Sequence, residues 1–172
     1  MQDTDLFLAM AEIAGVFVGF GALIGTRGGG STDPFEVAPV RMVVSLGVMT
    51  MAAGLAPVTL SRYDVADRHV WLLCSILTLV GYVTVGFIAA RTPEYRTVFA
   101  TARTTGAAVI ESIATVLVVG AMALALIVVV LGVAPELDAS LYLTAVVLIL
   151  LQAAWTLLEV VFSHMRPAGA TQ

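Results

Sequence analysis

The chain has no lysine; its eight basic residues are all arginines. That excludes chemistry needing a side-chain amine, such as a retinal Schiff base or the lysine of a Walker-type phosphate loop. Cysteine is nearly absent. Cys74 stands alone, so neither an intrachain disulfide nor a CxxC site can form, and its place in an apolar run reads as small-residue packing. The only histidines, His69 and His164, fall at opposite ends of the helices derived below and cannot jointly hold a haem or metal within one subunit. Charge is scarce, at 12% of residues, and the net charge is −4. With no basic patch, nucleic acid is not an expected partner. The sequence also lacks a His/Asp/Cys cluster, a serine elbow and any metal-ligand spacing. No enzyme activity, cofactor or metal is expected.

What the sequence has in abundance is apolar surface. Hydrophobic residues make up 60% of the chain and the mean hydropathy is +1.03. A soluble domain carries roughly 45–50% apolar and about 25% charged residues. One small core could not hide this surplus, whereas a lipid bilayer solvates it. Five runs carry most of it: Leu6–Ile24, Met42–Leu60, Val70–Ala90, Ala107–Val133 and Ala139–Phe162. Each reaches the roughly 17–25 residues that cross about 30 Å of hydrocarbon. Backbone groups in lipid must be paired within the segment, so each run is expected to be a helix. Strands of a membrane barrel would alternate over about 10 residues, and no such segments occur. The expected fold is therefore all-α: a polytopic bundle of about five transmembrane helices with short loops, one domain over residues 1–172. Met1-Gln2-Asp3-Thr4-Asp5 is acidic where a signal peptide is basic, so the first run is expected to stay as a span.

Helix starts are marked. Asp33-Pro34-Phe35-Glu36 places a cap, a proline at the first helical position and a glutamate at the capping-box position. The second helix should begin there, with a break or kink near Pro39. Thr92-Pro93-Glu94 repeats the signal, and Tyr95, Val98, Phe99 and Ala102 then share a face, as in a short interfacial helix before the fourth span. Asp67 and Asp138 are expected N-caps of the third and fifth helices. Thr26-Arg27-Gly28-Gly29-Gly30-Ser31-Thr32 reads as a flexible connector.

Five spans place Arg27, Arg41, Arg91, Arg96, Arg103 and Arg166 on one side, against Arg62 and Arg68 on the other. Arginine-rich short loops stay cytoplasmic, so the expected orientation is N-terminus outside and C-terminus inside. Arginine-only usage in an Ala/Val/Gly-rich chain suggests a GC-rich genome and a bacterial inner membrane.

Three glutamates, Glu12, Glu111 and Glu159, fall inside the spans. An ionised group at that depth costs about 2.5–3.5 kcal/mol on insertion scales. Counted from the turn between the fourth and fifth helices, Glu111 and Glu159 lie at one level, roughly 30 Å down. Arg41 and Arg91 reach a similar level. This reads either as an ion-pair cluster fastening helix ends or as a polar vestibule at the cytoplasmic mouth. Gln152, Thr156, Glu159 and Ser163 share one helical face, and Ser75, Thr78 and Tyr82 form a second stripe. Such stripes either line a water path or make interhelical hydrogen bonds. Glu12 has no arginine at its depth. Its neighbours Ala11, Gly15 and Gly19 form a small-residue track, so the first helix is expected to pack closely along Gly15 and Gly19 with Glu12 facing protein.

The expected function is an oligomeric ion or small-solute channel or carrier using Glu12, Glu111, Glu159, Gln152, Thr156 and Tyr82, with Arg41 and Arg91 as ion-pair partners. The alternative is a non-catalytic accessory or scaffold subunit of a larger membrane complex. Both imply the lipid bilayer and either further copies of the chain or partner membrane subunits.

Overall fold

The computed structural model describes the backbone of residues 4–27, 34–63, 66–93 and 106–165, and the side chains of residues 4–26, 37–63, 66–93 and 113–162. Among these residues the architecture is all-helical, and five helices are long and apolar enough to cross a membrane: α1 (Thr4–Arg27), α2 (Pro34–Leu60), α3 (Asp67–Arg91), α4 (Gly106–Leu131) and α5 (Asp138–Met165). Short 3-10 turns, Ser61–Tyr63 and Pro135–Leu137, follow α2 and precede α5. Each helix contains one of the apolar runs or nearly all of it. The interfacial helix expected near residues 95–103, the glycine-rich connector and Asp33 lie outside the described residues.

α2 is the most buried helix, packed against α1, α3 and α5. Among the described residues its most extensive packing is against α1, and that pairing rests on glycines. A Cβ at Gly47 would lie 2.7 Å from Val18 Cγ2 and 3.2 Å from the Ala14 carbonyl oxygen. One at Gly54 would lie 3.0 Å from the Phe7 carbonyl oxygen. From the other side, Gly21 admits Val44, whose Cγ2 would be 2.8 Å from a Cβ there. In lipid the tails are as apolar as the helices, so association depends on this close backbone approach.

Three sequence expectations are corrected here. The contact face of α1 runs through Phe7, Ala11, Ala14 and Gly21, with Val18 packed on Gly47. It does not run through Gly19, which is exposed and has nothing within 4 Å of the point a Cβ would occupy. A strict four-residue spacing rotates about 40° per step around a helix, so Ala11, Gly15 and Gly19 drift off the face; alternating steps of three and four stay on it. Second, α2 runs as one continuous helix through Pro39 and Pro57, so the break expected near Pro39 does not occur. Pro39 lies in the second turn, where its missing N–H removes the single bond to the carbonyl of residue 35. Third, Asp67 belongs to the first turn of α3, with Ala66 in the cap position and no side-chain cap bond. Asp138 is the first residue of α5, almost fully buried, with one carboxylate oxygen lacking a partner.

α4 ends in a Schellman closure. Gly132 has φ +63°, its N–H reaches the Val129 carbonyl, and the Val133 N–H reaches the Val128 carbonyl. Glycine is needed there twice over: a side chain would be strained at that φ, and the Arg68 guanidinium occupies the space a Cβ would take. The α4–α5 turn is thereby tied to the start of α3.

Candidate functional site

The interior is sealed where α1, α3 and α5 begin and α2 ends. Phe7, Trp71 and Tyr142 stack in a triangle with ring centroids 5.8–6.0 Å apart. The Tyr142 hydroxyl donates to the Ala53 carbonyl at 2.7 Å. In an uninterrupted helix that carbonyl would accept from the N–H of residue 57, but residue 57 is proline and has none. Tyr142 supplies the missing donor from another helix. Its single proton is thus committed, so the Thr78 hydroxyl must be the donor in the 3.1 Å Thr78–Tyr142 bond. Further along the same α3–α5 seam, the Tyr82 hydroxyl donates to Gln152 Oε1 at 2.7 Å. Ser75 is fully buried beside this seam and its hydroxyl has no partner.

The expected polar stripes therefore meet. Tyr82 and Gln152 are bonded to each other, and Thr156 bonds back to the Gln152 carbonyl of its own helix at 3.0 Å. Sequence reasoning missed Tyr142. The signal was the pair formed by Pro57, which orphans a carbonyl inside a long apolar helix, and a tyrosine near the start of the last apolar run.

This bond makes a testable claim. Tyr142→Phe leaves the Ala53 carbonyl unpaired in the interior and should cost about 1–3 kcal/mol, read as a shift in detergent unfolding midpoint. In a Pro57→Ala background the restored N–H satisfies Ala53, and the cost of Tyr142→Phe should shrink. Equal costs in both backgrounds would refute the compensation.

At the end where α1 and α3 finish and α2 starts, the Arg91 guanidinium lies 4.1 Å from the centre of the Phe87 ring, a cation–π contact on its own helix. Arg41 is exposed at the same end, among residues of α1, α2 and α3. Glu159 is half-buried and accepts the Trp155 indole N–H at 2.6 Å. Glu111 lies on α4, and its side chain is outside the described residues. Among the described residues, no group of three or more His, Cys, Asp or Glu could hold a metal.

Glu12 departs from expectation. It is exposed on the surface of the single chain rather than turned into the bundle. It lies about 100° around α1 from the buried Ala11, off the face that α2 covers. Leu8, Glu12, Val16, Gly19 and Leu23 make a continuous exposed stripe at spacings of four, four, three and four. Gly15 is half-buried at the edge of the stripe; a Cβ there would lie 3.7 Å from the Met51 methyl.

No family model matches this chain, and no curated protein or solved structure matches it either.

Proposed function

We propose that the chain is a multi-pass, non-catalytic subunit of a membrane assembly, docking onto its partner through the Glu12 stripe of α1. One observation carries this reading: a carboxyl within a long apolar helix faces outward from the single chain, on the same stripe as an uncrowded glycine two turns away. Left against lipid, an ionised carboxyl costs about 2.5–3.5 kcal/mol on insertion scales. A neighbouring helix carrying a hydrogen-bond donor removes that cost, and Gly19 allows its backbone to come close. The interior supports the same reading, since Tyr82, Thr78, Tyr142 and Gln152 spend hydroxyl and amide groups on one another or on backbone.

The second reading keeps the same stripe but makes the partner further copies of this chain. Glu12 then lines the axis of a homo-oligomer and serves as the ion or proton site of a channel or carrier. The outward position of Glu12 favours it too, because a ring of protomers would turn the carboxylates toward one path.

In both readings the membrane is a bacterial inner membrane. The arginine asymmetry supports a cytoplasmic C-terminus and an external N-terminus.

The test is covalent capture in native membranes. A photo-crosslinking residue in place of Val16, one turn from Glu12, should give one discrete adduct. The same residue in place of Val83, equally exposed on α3, should give only lipid adducts. A Val16 profile no different from that of Val83 removes the assembly surface.

A further inference from the structure

Glu12 is the one charged side chain on the exposed α1 stripe, between Leu8 on one side and Val16, Gly19 and Leu23 on the other. No described residue bonds its carboxyl. What this chain could itself set against that carboxyl follows from the levels of its helices.

Phe7 touches both Trp71 and Tyr142, with ring centroids 6.0 Å apart in each case. These residues lie in the second turns of α3 and α5, and Phe7 at the end of the first turn of α1, so the three helices begin at one end and run the same way. Glu12 is five residues deeper than Phe7, about 7.5 Å, which is the level of Ile76 on α3 and Val147 on α5. On α2, the contact of Gly54 with Phe7 and Ala11 brings Ala52 near that level. On α4, the Arg68 guanidinium against Gly132 brings Leu124 there. Ala52, Ile76, Leu124 and Val147 are all exposed and all apolar. An exposed hydroxyl within one turn of that level, on Thr144, gives its proton to the Ser140 carbonyl at 2.7 Å.

The basic residues do not reach it. The chain has no lysine. Arg68 stands three residues before Trp71, and so eight residues, about 12 Å, from the level of Glu12. Arg62 lies past the end of α2, and Arg41 and Arg91 belong to the opposite end. A second copy inserted the same way therefore presents to Glu12 apolar side chains or another Glu12, and two carboxylates at close quarters oppose each other's ionisation. Acids and bases inside spans are found paired with one another, because each removes the other's cost. A charge-assisted bond to a carboxylate is also roughly twice as strong as one between neutral groups.

We propose that the partner at the Glu12 stripe is a different chain, whose spanning helix carries a lysine or arginine at the depth of Glu12. The proposal rests on the assembly reading above and adds the chemistry of the partner.

The experiment uses the full-length protein in liposomes, with a photo-crosslinking residue in place of Val16. The probe is a synthetic spanning peptide, a leucine-alanine helix of about 22 residues with one lysine, glutamine or leucine at its centre. In either peptide orientation that centre lies about 5 Å from the depth of Glu12, within reach of a lysine side chain. Adduct yield against peptide concentration should show wild type preferring the lysine peptide to the leucine peptide by roughly tenfold or more, with the glutamine peptide between them. Glu12→Gln should capture the lysine and glutamine peptides equally. Glu12→Lys should reverse the order, taking a peptide with a central glutamate over the lysine peptide. Helical circular dichroism and a monodisperse elution profile check each variant. If Glu12→Lys does not fold, wild type and Glu12→Gln still decide the matter. Equal capture of the lysine and leucine peptides by wild type overturns the proposal. So does a lysine preference that survives Glu12→Gln, or a Val16 adduct in native membranes that is a homodimer alone. A discrete adduct with another protein in native membranes, together with equal peptide capture, would leave the assembly surface standing and remove only the basic partner. No discrete native adduct at all would remove both.

Discussion

Gly47→Leu should unfasten α1 from α2, whereas Gly19→Leu should leave the isolated chain as stable as before. The two glycines sit in spans of similar character, and from sequence Gly19 is the better candidate for a packing glycine. The structure reverses their importance. At Gly47 even a Cβ would press on Val18 Cγ2 at 2.7 Å and approach the Ala14 carbonyl oxygen at 3.2 Å. Val18 is branched at Cβ and stiff, and the Ala14 oxygen belongs to the helix backbone, so relief requires moving all of α1. Overpacking of this kind typically costs about 1–3 kcal/mol, and leucine belongs at the upper end. At Gly19 nothing lies within 4 Å, and a surface substitution of that sort stays within about 0.5 kcal/mol. Unfolding midpoints in mixed micelles of a mild detergent and dodecyl sulfate read both. Equal midpoints for the two leucine variants would mean that the α1–α2 contact is not where the structure puts it.

The contrast between these glycines shows what a single sequence makes legible here. The five long helices could be read because each is a run of nearly unbroken apolar residues, of the length a bilayer crossing requires. The polar seam could be read in part: Tyr82 and Gln152 stand out against apolar neighbours, and they meet at 2.7 Å. Rotation about the helix axis could not be read. In a soluble helix the polar face marks the outside; in a helix surrounded by lipid both faces are apolar, and the hydrophobic signal loses its direction. Small-residue spacing was the remaining guide on α1. It was off by one residue, about 100°, which turned Glu12 from an expected inward group into an outward one. A combinatorial clue on α2 and α5 went unread. Pro57 implies an unpaired carbonyl at Ala53, an unpaired carbonyl in a span needs a donor from elsewhere, and Tyr142 is a buried hydroxyl on a facing helix.

Removing the Glu12 carboxyl should weaken assembly without weakening the fold. Glu12 is exposed in the single chain, so neither Glu12→Ala nor Glu12→Gln should shift the unfolding midpoint by more than about 0.5 kcal/mol. The assembly readout is the yield of the Val16 photo-adduct. A polar contact between helices in a membrane is worth about 1–2 kcal/mol in peptide systems, so Glu12→Ala should lower apparent affinity by roughly five- to thirtyfold. Gly19→Leu should block the same face sterically and lower the yield further, although it leaves the isolated chain intact. Glu12→Gln separates the two functional readings. Glutamine keeps the length and can still hydrogen-bond, but it cannot ionise or release a proton. If the stripe meets a partner subunit, Glu12→Gln should retain much of the adduct, and wild-type protein alone in liposomes should pass neither protons nor cations above the protein-free background. If the stripe lines a path between copies of the chain, the adduct should have the mass of a homodimer, wild-type liposomes should leak, and Glu12→Gln should alter that leak while the oligomer persists. Full adduct yield from Glu12→Ala and Gly19→Leu alike would sink both readings, because neither the carboxyl nor the open glycine face would then matter to what α1 meets.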